Sequence, residues 1–204
     1  MSPSDHLTQC PGLTGLNAYL RPLSVSDVQS CITVQNPFPE QERCSEEKFT
    51  YRLTVCPNLS LGLFITTQSG TQQIGHVIGA RISSPQITES SMGMPENWQS
   101  LPRHEPVVVN GETVGNDPHG GNVAIHSVVT IPEFQGRGIG KAMVKAYIEY
   151  IREMGGGNGG SIVLIAHDYL VRFYEQTGFE NRGVSECRFA GGVWYDLVCN
   201  IEGR

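Results

Sequence analysis

The segment that decides the fold of this chain runs from residue 123 to residue 154 and reads VAIHSVVTIPEFQGRGIGKAMVKAYIEYIREM. Residues 123–131 are rich in β-branched side chains, which favours a strand whose side chains alternate between two faces. Alternation would put Ser127 on the face opposite His126. Pro132 suits the end of the strand, because proline has no N–H to donate to a central ladder. Apolar residues then recur at helical spacing as far as Met154, so the segment predicts a strand, a glycine turn and a helix.

The turn contains three alternating glycines, Gly136, Gly138 and Gly140, which let a backbone approach a ligand without Cβ clashes. A strand that passes through such a turn into a helix directs free N–H groups and the positive end of the helix dipole at one point, which suits a pyrophosphate. A Walker loop would need glycine at Gln135, and a dinucleotide fingerprint would need glycine at Lys141. The remaining pattern is Gln-x-x-Gly-x-Gly before a helix. On the pattern alone, a plain tight turn stays open as the alternative.

Length and composition bound the class of protein. A chain of 204 residues suits one domain with a substantial core. The net charge of −6 argues against nucleic acid and mildly favours cationic small molecules, although ordinary solubility explains it equally well. We expect no membrane association, since no apolar run approaches the roughly 20 residues of a span. Six scattered cysteines and no signal-peptide layout predict a cytoplasmic protein with reduced thiols.

The rest of the chain divides into regular elements on the same criteria. Two helices between about residues 25 and 57 are predicted from N-cap chemistry and apolar spacing, and a short helix is predicted before Gly178. The predicted strands, besides 123–131, are 16–23, 59–67, 73–83, 107–109 (short), 161–166, 184–189 and 193–200.

Four segments lack such patterns. Residues 1–15 are predicted to be a loose N-terminal segment before a folded domain at 16–200. Residues 84–121 form an irregular, proline-rich insertion, either functional, mobile or an idle surface loop. The glycine run at 155–160 predicts a helix stop and a flexible joint. The last four residues, 201–204, match a protease-site linker, which predicts a cloning scar.

This order of elements resembles the fold of the GCN5-related N-acetyltransferases (GNAT). The resemblance implies one α/β domain, with a mixed central sheet, about four flanking helices and an irregular insertion before the fourth strand. It covers about residues 16–199, with an interruption at 84–121. Three stretches are similar to the arylalkylamine, or serotonin, N-acetyltransferases of a non-vertebrate, fungal type. The motifs that carry the resemblance are Gln135-x-x-Gly138-x-Gly140, Phe173-Tyr174 followed by Gly178-Phe179, and the stretches 53–64, 124–130 and 167–174.

The resemblance implies an enzyme that transfers acetyl from acetyl-CoA, its co-substrate, to a primary amine in a direct ternary complex, without a metal. The implied amines are arylalkylamines such as serotonin, tryptamine or phenylethylamine, and polyamines as well. The pantetheine would lie along the strand backbone, and the pyrophosphate would lie on the glycine turn. The implied cofactor-binding residues are Val128, Val129, Thr130, Gln135, Gly136, Arg137, Gly138, Ile139, Gly140 and Lys141.

The chain departs from the vertebrate members of that family at several positions. Ala124 stands where those members have the first of two strand histidines, and His167 stands where they have glutamate. The N-terminus lacks the basic phosphorylation motif through which they bind 14-3-3 proteins. We therefore expect no such partner, and a monomer or weak dimer.

Two residues are expected to carry the proton transfers. His126 is the predicted base that takes the amine proton, because an ordinary histidine pKa near 6.5 suits the task. Tyr174 is the predicted acid that protonates the leaving thiolate. The alternative for each is a packed structural side chain.

The amine itself would be bound by side chains that the sequence indicates only weakly. An aromatic wall could draw on Phe38, Phe64 and Phe189, and Glu42 could attract a cation. His167 and Asp168 follow a strand end, where sites of α/β sheets gather, although Asp168 could instead cap the next helix. Two other functions stay open, a protein or peptide N-acetyltransferase of the same fold and a non-catalytic acyl-CoA sensor.

Overall fold

A seven-stranded mixed sheet runs through the protein in the computed structural model, which describes residues 2–155 and 160–201. The strand order is β1-β2-β3-β6-β7-β9-β8, in which β6 and β7 are parallel and the other neighbours are antiparallel. A separate hairpin joins β4 to β5. The strands are β1 Asn17–Pro22, β2 Leu61–Thr67, β3 Gly70–Ile82, β4 Val108–Val109, β5 Glu112–Thr113, β6 Asn122–Thr130, β7 Ser161–Ala166, β8 Glu180–Val184 and β9 Tyr195–Asn200.

Helices cover both faces of the sheet, which confirms the predicted α/β class. One core cluster joins the sheet to α1, α5 and α6, and a second joins it to α2 and α3. The helices are α1 Pro3–Thr8, α2 Val28–Val34, α3 Glu46–Val55, α4 Glu89–Met92, α5 Ile139–Glu153 and α6 Asp168–Glu175.

The predicted helix after the glycine turn is α5, and its apolar stripe explains its position. Ile139, Met143, Tyr147 and Ile151 recur every four residues and are almost completely buried. Burying each such side chain contributes about 1.5–3 kcal/mol. The Tyr147 hydroxyl donates to the Leu59 carbonyl at 2.7 Å, so this buried polar group is paired.

Strand β6 does not alternate regularly as the sequence predicted. Ser127 pairs with Ile78 and Ile125 pairs with Gly79, so His126 is an extra residue without a partner on β3. This is a β-bulge, in which two residues of one strand oppose one of the other. The bulge lets His126 and Ser127 line the same cavity, so the predicted opposite faces were wrong at this point.

Strands β6 and β7 are joined over a short length only. Val123 pairs with Ile162 and Ala124 pairs with Val163, and no further pair follows in the described residues. Beyond Ala124 the two parallel strands diverge. A gap therefore opens in the middle of the sheet, on the side where both strands end.

The expectation of a loose N-terminus was wrong. Ser2 and Asp5 form a capping box that starts α1. Leu7, Cys10 and Leu13 are buried in the main core cluster, because this short helix packs on α5. The N-terminal segment is therefore part of the folded domain.

The chain beyond β9 also packs, at least at its first residue. Ile201 is buried in the main core, and its N–H donates to the Gly160 carbonyl at 3.1 Å. Ile201 therefore belongs to the folded domain. Residues 202–204, and most of the predicted glycine joint at 156–159, lie outside the described residues.

The segment 84–121 is irregular in path, as expected, but it packs on the domain. It contains α4 and the β4–β5 hairpin, of which the short strand near residue 108 was predicted. Ile87, Met92 and Trp98 are buried, and buried Arg52 donates to the Met92 carbonyl at 3.2 Å. These contacts fix α4 over the bulge of β6.

The predicted strand at 184–189 was wrong. Gly178, at φ 106°, ends the turn after α6, and β8 begins directly at Glu180. Residues 185–194 form a loop instead, closed by a hydrogen bond from Ser185 N–H to the Trp194 carbonyl at 2.8 Å. Within the described part of the chain, no helix is long and apolar enough to span a membrane.

Candidate active site

The gap between β6 and β7 holds two adjoining cavities. The first, of about 590 Å³, lies against the glycine turn and is called the glycine-turn cavity. The second, of about 190 Å³, contains His126 and is called the histidine cavity. Both are lined by Pro37, Phe38, Val128, Tyr169, Leu170 and Tyr174, so the two cavities meet at these side chains.

The glycine-turn cavity presents unpaired backbone donors. Gly136 and Gly138 adopt φ of 71° and 80°, which favours glycine at both positions. Gly138 is the N-cap of α5 and offers no side-chain cap, and no acidic residue occupies the first turn. The N–H groups at the start of α5 therefore face the cavity without a partner in the helix. This arrangement fits an anionic group such as a diphosphate.

Nearly all the residues predicted to bind the cofactor line this cavity. The exception is Arg137, whose guanidinium lies over the Phe134 ring, 5.4 Å from its centroid. Arg137 is exposed, and its backbone packs against the N-terminal segment, where Cys10 Sγ lies 3.9 Å from its carbonyl. The lining residues among those predicted are Val128, Val129, Thr130, Gln135, Gly136, Gly138, Ile139, Gly140 and Lys141.

The ladder of β6 decides which of its amides face the gap. Ile131 N–H donates to the Ile74 carbonyl at 2.9 Å, so in the same register Val129 also exchanges hydrogen bonds with β3. Val128 and Thr130 then point their N–H and C=O groups away from β3, into the gap. Gln135 confirms this direction, because its Nε2 donates to the Thr130 carbonyl at 2.8 Å.

His126 lies in the wall of the histidine cavity, in an environment that differs from the expected one. Its Nδ1 lies 3.1 Å from Met92 Sδ, and its Nε2 is buried without a hydrogen-bond partner among the described residues. Burial lowers the pKa of His126 well below its ordinary value, and the nearby cations Arg52 and Lys48 lower it further. The ring is therefore neutral at pH 7, and the predicted pKa near 6.5 was wrong.

Tyr174 stands at the junction of the two cavities. Its ring packs edge-on against Phe173 and Phe179, with centroids 4.9 and 5.7 Å away. Burial raises the pKa of the Tyr174 phenol far above its usual value, so the hydroxyl stays protonated. A protonated phenol at this position can donate to a group that spans both cavities.

The histidine cavity has aromatic walls and one carboxylate. Phe38, Glu42, His167 and Phe189, all predicted, line it. Glu42 lies 3.2 Å from His167 Nε2 and thereby connects the loop after α2 to the end of β7. His167 stacks on Trp194 at 4.1 Å between ring centroids, with 27° between the planes.

Sequence reasoning missed Trp194 and Tyr169. Trp194 was assigned to a strand, but it follows the Gly191-Gly192 turn and belongs to the loop that closes the cavity. Its Nε1 donates to the Phe189 carbonyl at 2.8 Å, which fixes the indole in the wall. The Tyr169 ring stacks on the His167 ring, with 5.4 Å between the centroids. The one available signal was the aromatic enrichment around His167.

Two predicted substrate residues lie elsewhere. Phe64 is buried on the face of α2 and α3, where it stacks on Tyr19 at 5.7 Å and lies beneath Arg21. Asp168 is exposed and accepts a hydrogen bond from Tyr169 N–H at 2.7 Å. The predicted capping role for Asp168 was also wrong, because His167 occupies the N-cap position of α6.

Comparison with known proteins indicates the class. Residues 104–200 match the family model described as "Acetyltransferase (GNAT) domain". A stretch of 62 residues, 30% of this chain, is 39% identical to "GCN5-related N-acetyltransferase 2, chloroplastic" of Arabidopsis thaliana and spans 23% of that relative. The match therefore covers about a quarter of the curated relative.

Solved structures show the same fold. The loading GNATL domain of CurA from Lyngbya majuscula superimposes with a TM-score of 0.66 and 15% identity, over 90% of this chain and 98% of that one. Arabidopsis thaliana Naa50, solved with the bisubstrate analogue CoA-Ac-MVNAL, gives a TM-score of 0.58 and 12% identity, over 89% and 97%. The protein is thus a single α/β domain of the GNAT-like fold.

Proposed function

We propose that this protein transfers the acetyl group of acetyl-CoA to the primary amine of a small arylalkylamine, in a direct ternary complex. The observation that carries the proposal is the meeting of two different cavities at Val128 and Tyr174. One cavity offers backbone donors, and the other offers aromatic walls and a neutral histidine. A thioester in the first would lie beside an amine in the second.

The glycine-turn cavity fits coenzyme A in its chemistry and its shape. The unpaired N–H groups of Ile139, Gly140 and Lys141 suit the diphosphate. The N–H and C=O groups of Val128 and the N–H group of Thr130 suit the amides of pantetheine, which can pair with a strand edge as another strand would. The volume of about 590 Å³ lies in the range of cofactor sites.

The histidine cavity supports the assignment of a small aromatic amine. Its volume of about 190 Å³ suits a ligand with one ring system. Aromatic rings from Phe38, Tyr169, Phe189 and Trp194 surround it, and rings pack on rings at about 4.5–7 Å. Glu42 supplies a negative charge that attracts the ammonium form of the amine, which gives its proton to solvent before the attack.

In the proposed reaction, three groups assist the transfer. The amine nitrogen attacks the thioester carbon, and the Val128 N–H donates to the carbonyl oxygen as negative charge develops there. His126 takes the proton that the new ammonium releases, directly or through a water, since its ring is neutral. Collapse of the tetrahedral intermediate breaks the C–S bond, and the Tyr174 hydroxyl donates its proton to the departing thiolate.

Protein or peptide acetylation is the main competing activity, because Naa50 and this chain share the fold. The loops that contain Glu42 and Trp194 approach each other over the histidine cavity through His167. This closure favours a small amine over a chain that must pass through an open groove.

A thiol-release assay with tryptamine, phenylethylamine, spermidine and a lysine peptide tests the proposal. We expect turnover with the two arylalkylamines at the highest kcat/KM. Turnover with the peptide alone would replace this function by protein acetylation. Acetyl-CoA binding in calorimetry without turnover on any amine would identify a non-catalytic sensor.

A further inference from the structure

A buried polar pair, of which one member lines the histidine cavity, takes no part in the mechanism above. Ser127 Oγ on β6 lies 3.1 Å from His76 Nε2 on β3. His76 has no exposed surface, and its ring meets the Phe49 ring edge-on with centroids 5.8 Å apart. Ser127 lines the cavity itself. A histidine is costly to bury in such apolar surroundings, so the pair requires an explanation.

The bulge at His126 is what brings Ser127 to the cavity. In a regular strand the neighbour of a cavity residue points to the opposite face of the sheet. Because His126 has no partner on β3, the alternation restarts at Ser127. The strand thus supplies two consecutive polar side chains, His126 and Ser127, to one small space.

Hydrogen-bond satisfaction fixes the proton of His76. Burial lowers the pKa of His76 to about 3, so the ring is neutral and has one N–H. Its Nδ1 is buried without a partner in the described part of the chain. A proton on Nδ1 would leave a buried donor unpaired, which is rarer in proteins than an unpaired acceptor. The proton therefore lies on Nε2, which donates to Ser127 Oγ.

The hydrogen bond from His76 determines what the Ser127 hydroxyl can still do. A serine oxygen accepts through its lone pairs and donates one proton of its own. His76 Nε2–H occupies a lone pair and leaves the O–H free. Ser127 is one of the residues that line the histidine cavity, so this O–H is available to donate to a group bound there.

We propose that Ser127 is a catalytic hydrogen-bond donor to the acyl oxygen, beside the Val128 N–H, and that His76 is its positioning residue. The inference rests on the proposed acetyl transfer. As the C–N bond forms, the carbonyl electron pair moves to oxygen, which accepts from Ser127 and Val128. When the C–S bond breaks, that pair restores the carbonyl, and sulfur leaves with the bonding electrons. Ser127 keeps its proton throughout, and the amine proton still goes to His126.

The first test is Ser127→Ala, measured with the best arylalkylamine at saturating acetyl-CoA. Loss of a donor to developing negative charge should lower kcat about 10- to 100-fold. The KM of the amine and the Kd of acetyl-CoA should stay within about twofold, because the donor acts mainly in the transition state. An unchanged kcat, or a rise in KM alone, would overturn the proposal.

His76→Phe and the double variant Ser127→Ala/His76→Phe separate catalysis from packing. His76→Phe should lower kcat several-fold, because the hydroxyl loses its orientation. The double variant replaces both polar groups by apolar ones of similar shape and should fold. We expect its kcat to equal that of Ser127→Ala, since both act through one hydroxyl. Recovery of wild-type kcat in the double variant would show that the pair is structural only.

Ser60→Ala is the matched control. Ser60 is also a buried serine, and its hydroxyl oxygen accepts from Gly79 N–H at 3.3 Å, away from both cavities. Its replacement should lower Tm and leave kcat unchanged. If the wild-type protein released no thiol with any amine, the acetyl-transfer proposal would fail and this one with it. If the wild type turned over while Ser127→Ala matched it, this inference alone would fail.

Discussion

The glycine-turn cavity and the histidine cavity share a wall but are built in opposite ways. The first is formed mostly by residues 128–141, a contiguous stretch, and its ligand-binding groups are backbone amides. The second draws on four separate parts of the chain, near residues 38–42, 92, 126 and 167–194, and its groups are side chains. Backbone donors serve any ligand with a diphosphate, whereas side chains decide which second substrate fits. Variants should therefore affect one co-substrate at a time, except at the junction.

The largest effect is expected from His126→Gln, which keeps the shape and removes the base. We expect kcat to fall about 100-fold, with unchanged binding of acetyl-CoA in calorimetry. A histidine ring can accept a proton only when the pH is above its pKa, because the ring is then deprotonated. Because the pKa of His126 is lowered, the acid limb of the wild-type pH–rate profile should lie well below pH 6.5. This limb should be absent from the profile of His126→Gln. A profile that both proteins share would exclude His126 as the base.

Tyr174→Phe should come next, with a fall in kcat of roughly tenfold or more at saturating co-substrates. The raised pKa keeps the phenol protonated across the neutral range, so the effect should not depend on pH between 6 and 9. Tyr150→Phe is the control, because Tyr150 lies on α5 and lines neither cavity. Full turnover of Tyr174→Phe in the thiol-release assay would leave Tyr174 as a packing residue.

Gly138→Ala tests the cavity made of backbone. A Cβ at φ 80° costs about 1–2 kcal/mol. Relaxation of the turn to avoid this cost should redirect its N–H groups and weaken acetyl-CoA binding about tenfold, without changing kcat at saturation or the KM of the amine. Gly111→Ala, at φ 84° in the distant β4–β5 hairpin, should lower Tm but leave the Kd of acetyl-CoA unchanged. Equal Kd values for Gly138→Ala and the wild type would place the coenzyme elsewhere.

Glu42→Gln should have the smallest effect. It removes the carboxylate that attracts a cation, and we expect the KM of the amine to rise only a few-fold because the group is partly exposed to screening water. Added salt should reduce the difference between variant and wild type. Glu47→Gln, an exposed residue of α3 with the same charge change, should leave the KM unchanged. A larger KM for acetyl-CoA in Glu42→Gln would contradict the division between the cavities.

The same contrast explains what the sequence could predict. The strand, glycine turn and α5 follow from local patterns. Most residues that line the glycine-turn cavity lie within 128–141, so their proximity needs no tertiary information. Among the predicted cofactor-binding residues, Arg137 alone does not line this cavity, and its guanidinium lies over the Phe134 ring.

The histidine cavity could be predicted only in part. Phe38, Glu42, His167 and Phe189 were found by residue type, whereas Phe64 of the same type was buried on another face. Trp194 was missed because the pattern at 193–200 predicted a strand, whereas β9 begins at Tyr195 and Trp194 belongs to the loop before it. The low pKa of His126 results first from burial and then from Arg52 and Lys48 of α3, and no spacing along the chain predicts either. Residue type predicts chemistry, but tertiary packing decides which residues meet.

The narrow join between β6 and β7 has a consequence for the sheet as a whole. Val123, Ala124, Ile162 and Val163 form the described pairs that tie four strands on one side to three on the other. A pantetheine chain in the gap would act as a partial eighth strand between the two halves of the sheet. Occupancy would then stiffen the protein across its middle, so that loading with coenzyme and resistance to unfolding increase together.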